Sequence, residues 1–175
     1  MSESTLHRLS TALSRVAETV GNTAAWLALA LVLVTFAVVV LRYLLQLGWI
    51  AMQESILYLH ASLFLLGAAY TLNRDGHVRV DIFYRGFSPR GKALVDLLGS
   101  LLLLLPVCSF LLWVSWDYVA SAWALREGSP EAGGLPFVYL LKTLIPLAAA
   151  LLILQGLSQA LASLGTLTGV ERDDE

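Results

Sequence analysis

Residues 55–81 read SILYLHASLFLLGAAYTLNRDGHVRVD. The first eighteen of them, Ser55–Leu72, contain no Asp, Glu, Lys or Arg, and the run then stops at a dense polar patch, Asn73–Asp81. Three further stretches have the same apolar character: Ala24–Leu41, Leu97–Trp116 and Leu135–Leu164, the last broken only by Lys142. Each is near or above the roughly 20 residues needed to cross a hydrocarbon core. Inside lipid every backbone N–H and C=O must find its partner within the segment, so these runs are helices. The whole composition agrees. The 175-residue chain is 58% hydrophobic and 14% charged, against about 25% charged for a soluble domain. Mean hydropathy is +0.75. The reading is an all-α membrane protein in one membrane domain, residues 1–175, with transmembrane helices over 24–45, 51–73, 92–117 and 136–163.

The first 23 residues are polar and mixed, and no small-residue cleavage site follows the first apolar run, so a retained first helix is expected rather than a signal peptide. Within residues 2–20, Leu6, Leu9, Leu13, Val16 and Val20 recur at helical spacing between Ser, Thr, Arg and Glu. That pattern predicts a separate amphipathic helix lying on the membrane surface. Lys and Arg set the orientation. The connection between the second and third runs carries Arg74, Arg79, Arg85, Arg90 and Lys92, and the N-terminal segment carries Arg8 and Arg15. The other two connections carry only Arg42 and Arg126, with Lys142 just inside the fourth run. The positive-inside rule therefore predicts both termini in the cytoplasm.

Local signals refine the ends. Trp49 suits an interfacial belt. Gly76 is expected to supply the left-handed residue that stops the second helix. Residues 77–82 alternate His, Val, Arg, Val, Asp, Ile, which predicts a short extended segment with His77, Arg79 and Asp81 on one face. Ser88-Pro89 is a cap followed by a first-turn proline. Pro106 is expected to kink the third helix, and Pro146 to interrupt the fourth.

Few residues offer chemistry. Cys108 is the single cysteine, so no intrachain disulfide forms, and His7, His60 and His77 are scattered with no metal-ligand spacing. Ionisable groups at membrane depth cost about 2.5–3.5 kcal/mol, so each asks for a reason. Glu54 and His60 admit two readings: a proton or cation pathway, or a rim carboxylate with a histidine hydrogen-bonded to a neighbouring helix. They stand six residues apart, about 240° around a helix, so they do not converge as an enzyme's acid and base would. Lys142 can snorkel outward, pair with Asp117, Glu127 or Glu131, or hold a substrate anion. Asp96 has Arg79 or Lys92 for neutralisation. Small residues mark close helix contacts in lipid, which points to Gly67, Ala68 and Ala69 with Ala148, Ala149 and Ala150. A carrier would want a second buried charge near the midplane, and without one the chain reads as the partner of a larger membrane protein. The alternative is a self-sufficient four-helix transporter with Glu54 as its coupling carboxylate.

Leu66-Gly67-Ala68-Ala69-Tyr70, followed by Arg74-Asp75-Gly76-His77-Val78-Arg79-Val80-Asp81, resembles the small membrane subunit (DctQ-type) of TRAP, tripartite ATP-independent periplasmic, transporters. The family pattern has a GAA helix end, then GGH-hydrophobic-R-V-D, about 20 residues after an acidic pair. Here the pair is Gln53-Glu54, and a family Arg and Trp are replaced by Leu57 and Ser62; Arg42 is retained. The resemblance runs from about Ala24 to Gln155. His60, Tyr84, Glu127 with Glu131, Gly134-Leu135-Pro136, Tyr139 and Lys142-Thr143 resemble a branch labelled for mannitol, chloroaromatic acids, 2-oxo acids or lactate. The resemblance implies a non-catalytic subunit of a sodium-coupled organic-acid importer in the bacterial inner membrane. Its partners would be the large TRAP membrane subunit, a periplasmic substrate-binding protein and membrane lipids, with no nucleic acid. It implies no cofactor on this chain, the sodium sites belonging to the large subunit. Interface residues would be drawn from Arg42, Trp49, Glu54, His60, Gly76, His77, Arg79, Asp81, Glu127 and Lys142.

Overall fold

The chain is seen in a computed structural model that describes residues 3–77 and 81–168. It is all-helical: α1 (Glu3–Leu44), α2 (Ile50–Asn73), a single turn α3 (Asp81–Tyr84), α4 (Pro89–Ala124) and α5 (Val138–Thr168). Four of these are long and apolar enough to cross a membrane: Arg8–Leu44, Ile50–Asn73, Pro89–Ala124 and Val138–Thr168. The spans alternate in direction. One end, here the hairpin end, carries the 45–49 and 125–137 connections. The other, the terminal end, carries the 74–88 connection together with the first turns of α1 and the last turns of α5.

Helix α5 is the axis of the bundle. It packs against α1, α2 and α4, α1 packs along α2, and α4 rests chiefly on α5. Small side chains permit these contacts, as expected in lipid, where close van der Waals approach replaces the hydrophobic effect. Ala69 is completely buried beside Ala17 and Leu151, and Ala148 and Ala149 are buried on α5. Gly67 departs from the expected contact set: a Cβ placed on it meets nothing within 4 Å. The tightest crossing is at Gly21, where any side chain would run into the Cβ of Tyr70 on α2.

The N-terminal segment corrects the sequence reading. No break separates a surface helix from the first span; α1 is one helix of 42 residues, about 63 Å long. Two of its serines, Ser10 and Ser14, face α5. The Ser14 and Ser158 hydroxyl oxygens lie 2.7 Å apart, and Ser158 donates to the Ser10 carbonyl at 2.8 Å. A helical repeat of Leu and Ser fits a helix–helix seam as well as a lipid surface, and here the seam wins.

Helix ends supply further corrections. The left-handed residue after α2 is Asp75 (φ 52°), one position before Gly76. Gly76 donates to the Thr71 carbonyl at 2.8 Å and Asp75 to the Leu72 carbonyl at 3.2 Å, the two bonds of a Schellman cap. A Cβ at Gly76 would lie 3.1 Å from Thr71 Cγ2, a tight contact. The extended segment expected over 77–82 ends in a helix instead, because Asp81 and Ile82 belong to α3. Val78, Arg79 and Val80 lie outside the described residues, and Asp81 is described only by its backbone. Ser88 caps α4 as expected, accepting from the Gly91 N–H at 3.2 Å, with Pro89 in the first turn.

The two prolines are absorbed differently. Ahead of Pro106 the helix widens into a π turn over Ser100–Leu104, where the Leu105 N–H reaches back to the Ser100 carbonyl. The extra residue relieves the clash a proline ring makes with the carbonyl four positions earlier. Pro146 is buried inside α5, which continues through it without a break.

Candidate functional site

The densest polar constellation lies at the hairpin end, where one loop is tied to two helices. Glu54 sits in the second turn of α2 and accepts from the Ser129 hydroxyl through one carboxylate oxygen. Through the other it accepts from the Leu135 N–H at 2.7 Å. Ser129 in turn donates its N–H to the Leu135 carbonyl at 2.9 Å and accepts from the Glu131 N–H at 3.1 Å. The Ala51 N–H, one of the unpaired donors of the first turn of α2, reaches the Gly133 carbonyl at 3.2 Å. Gly133 has φ +83°, and at Gly134 a Cβ would collide with Ser129 Oγ and lie 2.8 Å from Glu54 Oε1. The Gly133-Gly134 pair therefore serves two ends: one glycine makes the turn and the next leaves room for the carboxylate.

The far side of the same loop is held by α5. Lys142 Nζ lies 2.5 Å from Glu127 Oε2 and 4.0 Å from the centroid of the Tyr118 ring on α4. The Tyr139 N–H donates to the Glu127 carbonyl at 3.3 Å. Trp123 packs edge-on against Tyr139, ring centroids 4.7 Å apart, and its indole N–H donates to Thr143 Oγ1 at 2.8 Å. Of the partners open to Lys142, the fold selects Glu127. Arg42 and Trp49 line a narrow cleft with Gln53 beside this loop, and Trp49 is 64% exposed.

The terminal end is polar in a looser way. Arg74 pairs with Glu18 of α1, both side chains more than a third exposed, and its guanidinium carbon stands 5.7 Å from the Tyr70 ring. Gln155, buried on α5, donates to Asn73 Oδ1 at 3.2 Å. The Tyr84 hydroxyl donates to Asp96 at 2.7 Å, and Lys92 lies 5.6 Å from the same ring. Tyr84 and Asp96 border an open groove of about 450 Å³ that Leu72, Phe83, Phe87 and Leu104 also line. His77 is exposed at a bend after α2.

The candidate residues thus divide. Glu54, Glu127, Lys142, Arg42 and Trp49 gather at the hairpin end; Gly76, His77, Arg79 and Asp81 belong to the 74–88 connection; His60 joins neither group. It does not reach a neighbouring helix: it is exposed on α2, its ring stacked on Phe64 with centroids 6.3 Å apart. Glu54 and His60 do not converge, as their spacing requires. Sequence reasoning missed Ser129 and the Leu135 amide as Glu54's partners, since they lie 75 and 81 residues away. The only forward signal was a Gly-Gly turn opposite a carboxylate at a helix start. Among the described residues no group of three His, Cys, Asp or Glu side chains is placed to hold a metal ion.

Such an arrangement braces the 125–137 loop against α2 and α5. No curated protein and no solved structure matches the chain. The family described as "Tripartite ATP-independent periplasmic transporters, DctQ component" matches residues 31–166, most of the chain, with the second and third spans complete, nearly all of the fourth and the greater part of the first hydrophobic run. The chain therefore belongs to the DctQ component family of TRAP transporters, non-catalytic multi-pass membrane subunits that work with the other components of a tripartite system.

Proposed function

We propose that this chain is a scaffold for the large membrane subunit of a sodium-coupled importer of organic acids, and that its braced loop forms part of the surface on which the substrate-binding protein docks. The observation that carries the reading is the use of Glu54. Both of its oxygens are committed to the 125–137 loop, and residues 55–73, 97–116 and 143–168 contain no Asp, Glu, Lys or Arg that could form a path across the membrane. A carboxylate bound to a backbone N–H and a hydroxyl is suited to holding a shape. The exposed Trp49, beside Arg42 and the anchored loop, offers a large amphipathic contact of the kind interfaces favour. Basic residues gather at the terminal end, which supports an orientation with both termini in the cytoplasm and the braced loop outside. In that orientation the 74–88 connection, with His77, Arg79 and Asp81, meets lipid phosphate or the large subunit. The organic-acid substrate and sodium coupling rest on the family resemblance.

The test is reconstitution. This chain alone in proteoliposomes takes up no organic acid down a sodium gradient. The same membranes transport when the large subunit and the binding protein are added. Uptake by the chain alone overturns the scaffold reading.

A further inference from the structure

His60 stands where a polar ring has no business facing lipid. It lies ten residues from Ile50 and thirteen from Asn73, about 15 and 20 Å from the two ends of α2, so it is well inside the hydrocarbon. Its side chain is exposed and, among the described residues, no hydrogen bond holds it. Histidines at such depth face a bundle interior or a polar partner. Other outward polar groups have local explanations. The hydroxyls of Thr35 and Ser109 are able to fold back on a carbonyl of their own helix. Asp117 lies among Trp113, Trp116, Tyr118 and Trp123, an aromatic belt of the kind found where water begins. His60 is flanked on its exposed face by Leu57 and Phe64, 55% and 71% exposed.

These residues fall on one stripe. Gln53, Leu57, His60, Phe64 and Gly67 follow steps of four, three, four and three, the spacing of a helix-packing seam. Gly67 is the seam's close-approach point, and the space above it is open. The outward sides of α1 and α4 differ. Leu29, Val32, Leu33 and Phe36 on one, and Leu103, Val107 and Phe110 on the other, present apolar side chains that lipid satisfies.

We infer that the Gln53–Gly67 stripe of α2 is the face that receives the large subunit. Its occupant is a transmembrane helix that offers a hydrogen-bonding side chain at the depth of His60 and crosses closest at Gly67. Neutral imidazole carries one donor and one acceptor, so a hydroxyl, carboxamide or carboxylate on that helix completes it. This inference rests on the scaffold reading and adds the face to it.

The experiment uses the full chain co-expressed with the large subunit, with a photoreactive residue at Leu57, Phe64, Phe36 or Trp113 in turn. Adducts to the large subunit are expected from Leu57 and Phe64, and none from Phe36 or Trp113. If the two chains co-purify but Leu57 and Phe64 yield no adduct, the face is wrong and the scaffold reading stands. If the chains do not co-purify at all, both fail. In parallel, His60→Leu is expected to weaken the complex by about 3- to 15-fold, the range for one interhelical hydrogen bond in lipid. His60→Gln is expected to restore most of it, with recovery of the isolated chain unchanged. Undiminished complex with His60→Leu contradicts the assignment.

Discussion

At the hairpin end two carboxylates are tied into the fold, Glu54 on Ser129 and Leu135 and Glu127 on Lys142, while Arg42, Arg126 and Glu131 stand exposed beside them. At the terminal end the charges are more numerous and stand at the surface, with Arg8, His77, Arg85 and Arg90 all exposed. Abundance and organisation run in opposite directions. A cluster of basic residues beside a membrane follows from topology, because it marks the side on which the chain is retained. A lone carboxylate bonded across 81 residues of sequence to a loop amide follows from architecture. Charge density therefore points to orientation, and charge satisfaction points to the built surface.

If that contrast is right, substitutions at the hairpin end cost more than those at the terminal end. Glu54→Leu should cost most, because it leaves the Leu135 N–H and the Ser129 hydroxyl without their acceptor. Amide exchange at Leu135 should then accelerate by about 100-fold. Gly134→Ala comes next at about 2 kcal/mol, since the new methyl must displace Ser129 or the carboxylate. Exchange through residues 129–135 reads it out. Lys142→Met should lower the unfolding temperature in detergent by about 3 °C, a small effect because its ion pair is partly exposed. Ser158→Ala, at the terminal end, should cost about 0.6 kcal/mol, the average for an interhelical hydrogen bond in a membrane. Arg74→Ala should cost least, under about 0.5 kcal/mol, and its effect should shrink further in high salt. Reversal of this order would dissolve the distinction between the ends.

The four spans are legible in the sequence because a bilayer leaves one solution to a charge-free run of twenty residues. The family is legible in Gly67–Tyr70 and Arg74–Asp81 because that motif sits at one helix end of a four-span chain. What failed to read was whatever depends on a neighbour. Periodicity shows that Leu9, Leu13 and Val16 share a face, but not that the neighbouring Ser10 and Ser14 meet Ser158 of α5. A glycine after a helix suggests the left-handed position, yet the neighbouring Asp75 takes it because aspartate tolerates that conformation at modest cost. Pro106 announces a disturbance without saying that five residues of π turn absorb it. Glu54 was visible as a carboxylate needing a reason; the reason lay in Ser129 and Leu135, which only the fold brings to it.

The most direct test is Glu54→Gln in the reconstituted transporter, with uptake and Leu135 amide exchange measured on the same sample. A carboxamide can accept from the Leu135 N–H and donate to Ser129 Oγ, so the anchor survives the loss of charge. The scaffold account predicts that Leu135 stays protected and that uptake remains within about threefold of the unaltered protein, the order of one neutral hydrogen bond. Abolished uptake with Leu135 still protected would contradict it, for the charge itself would then be the working group.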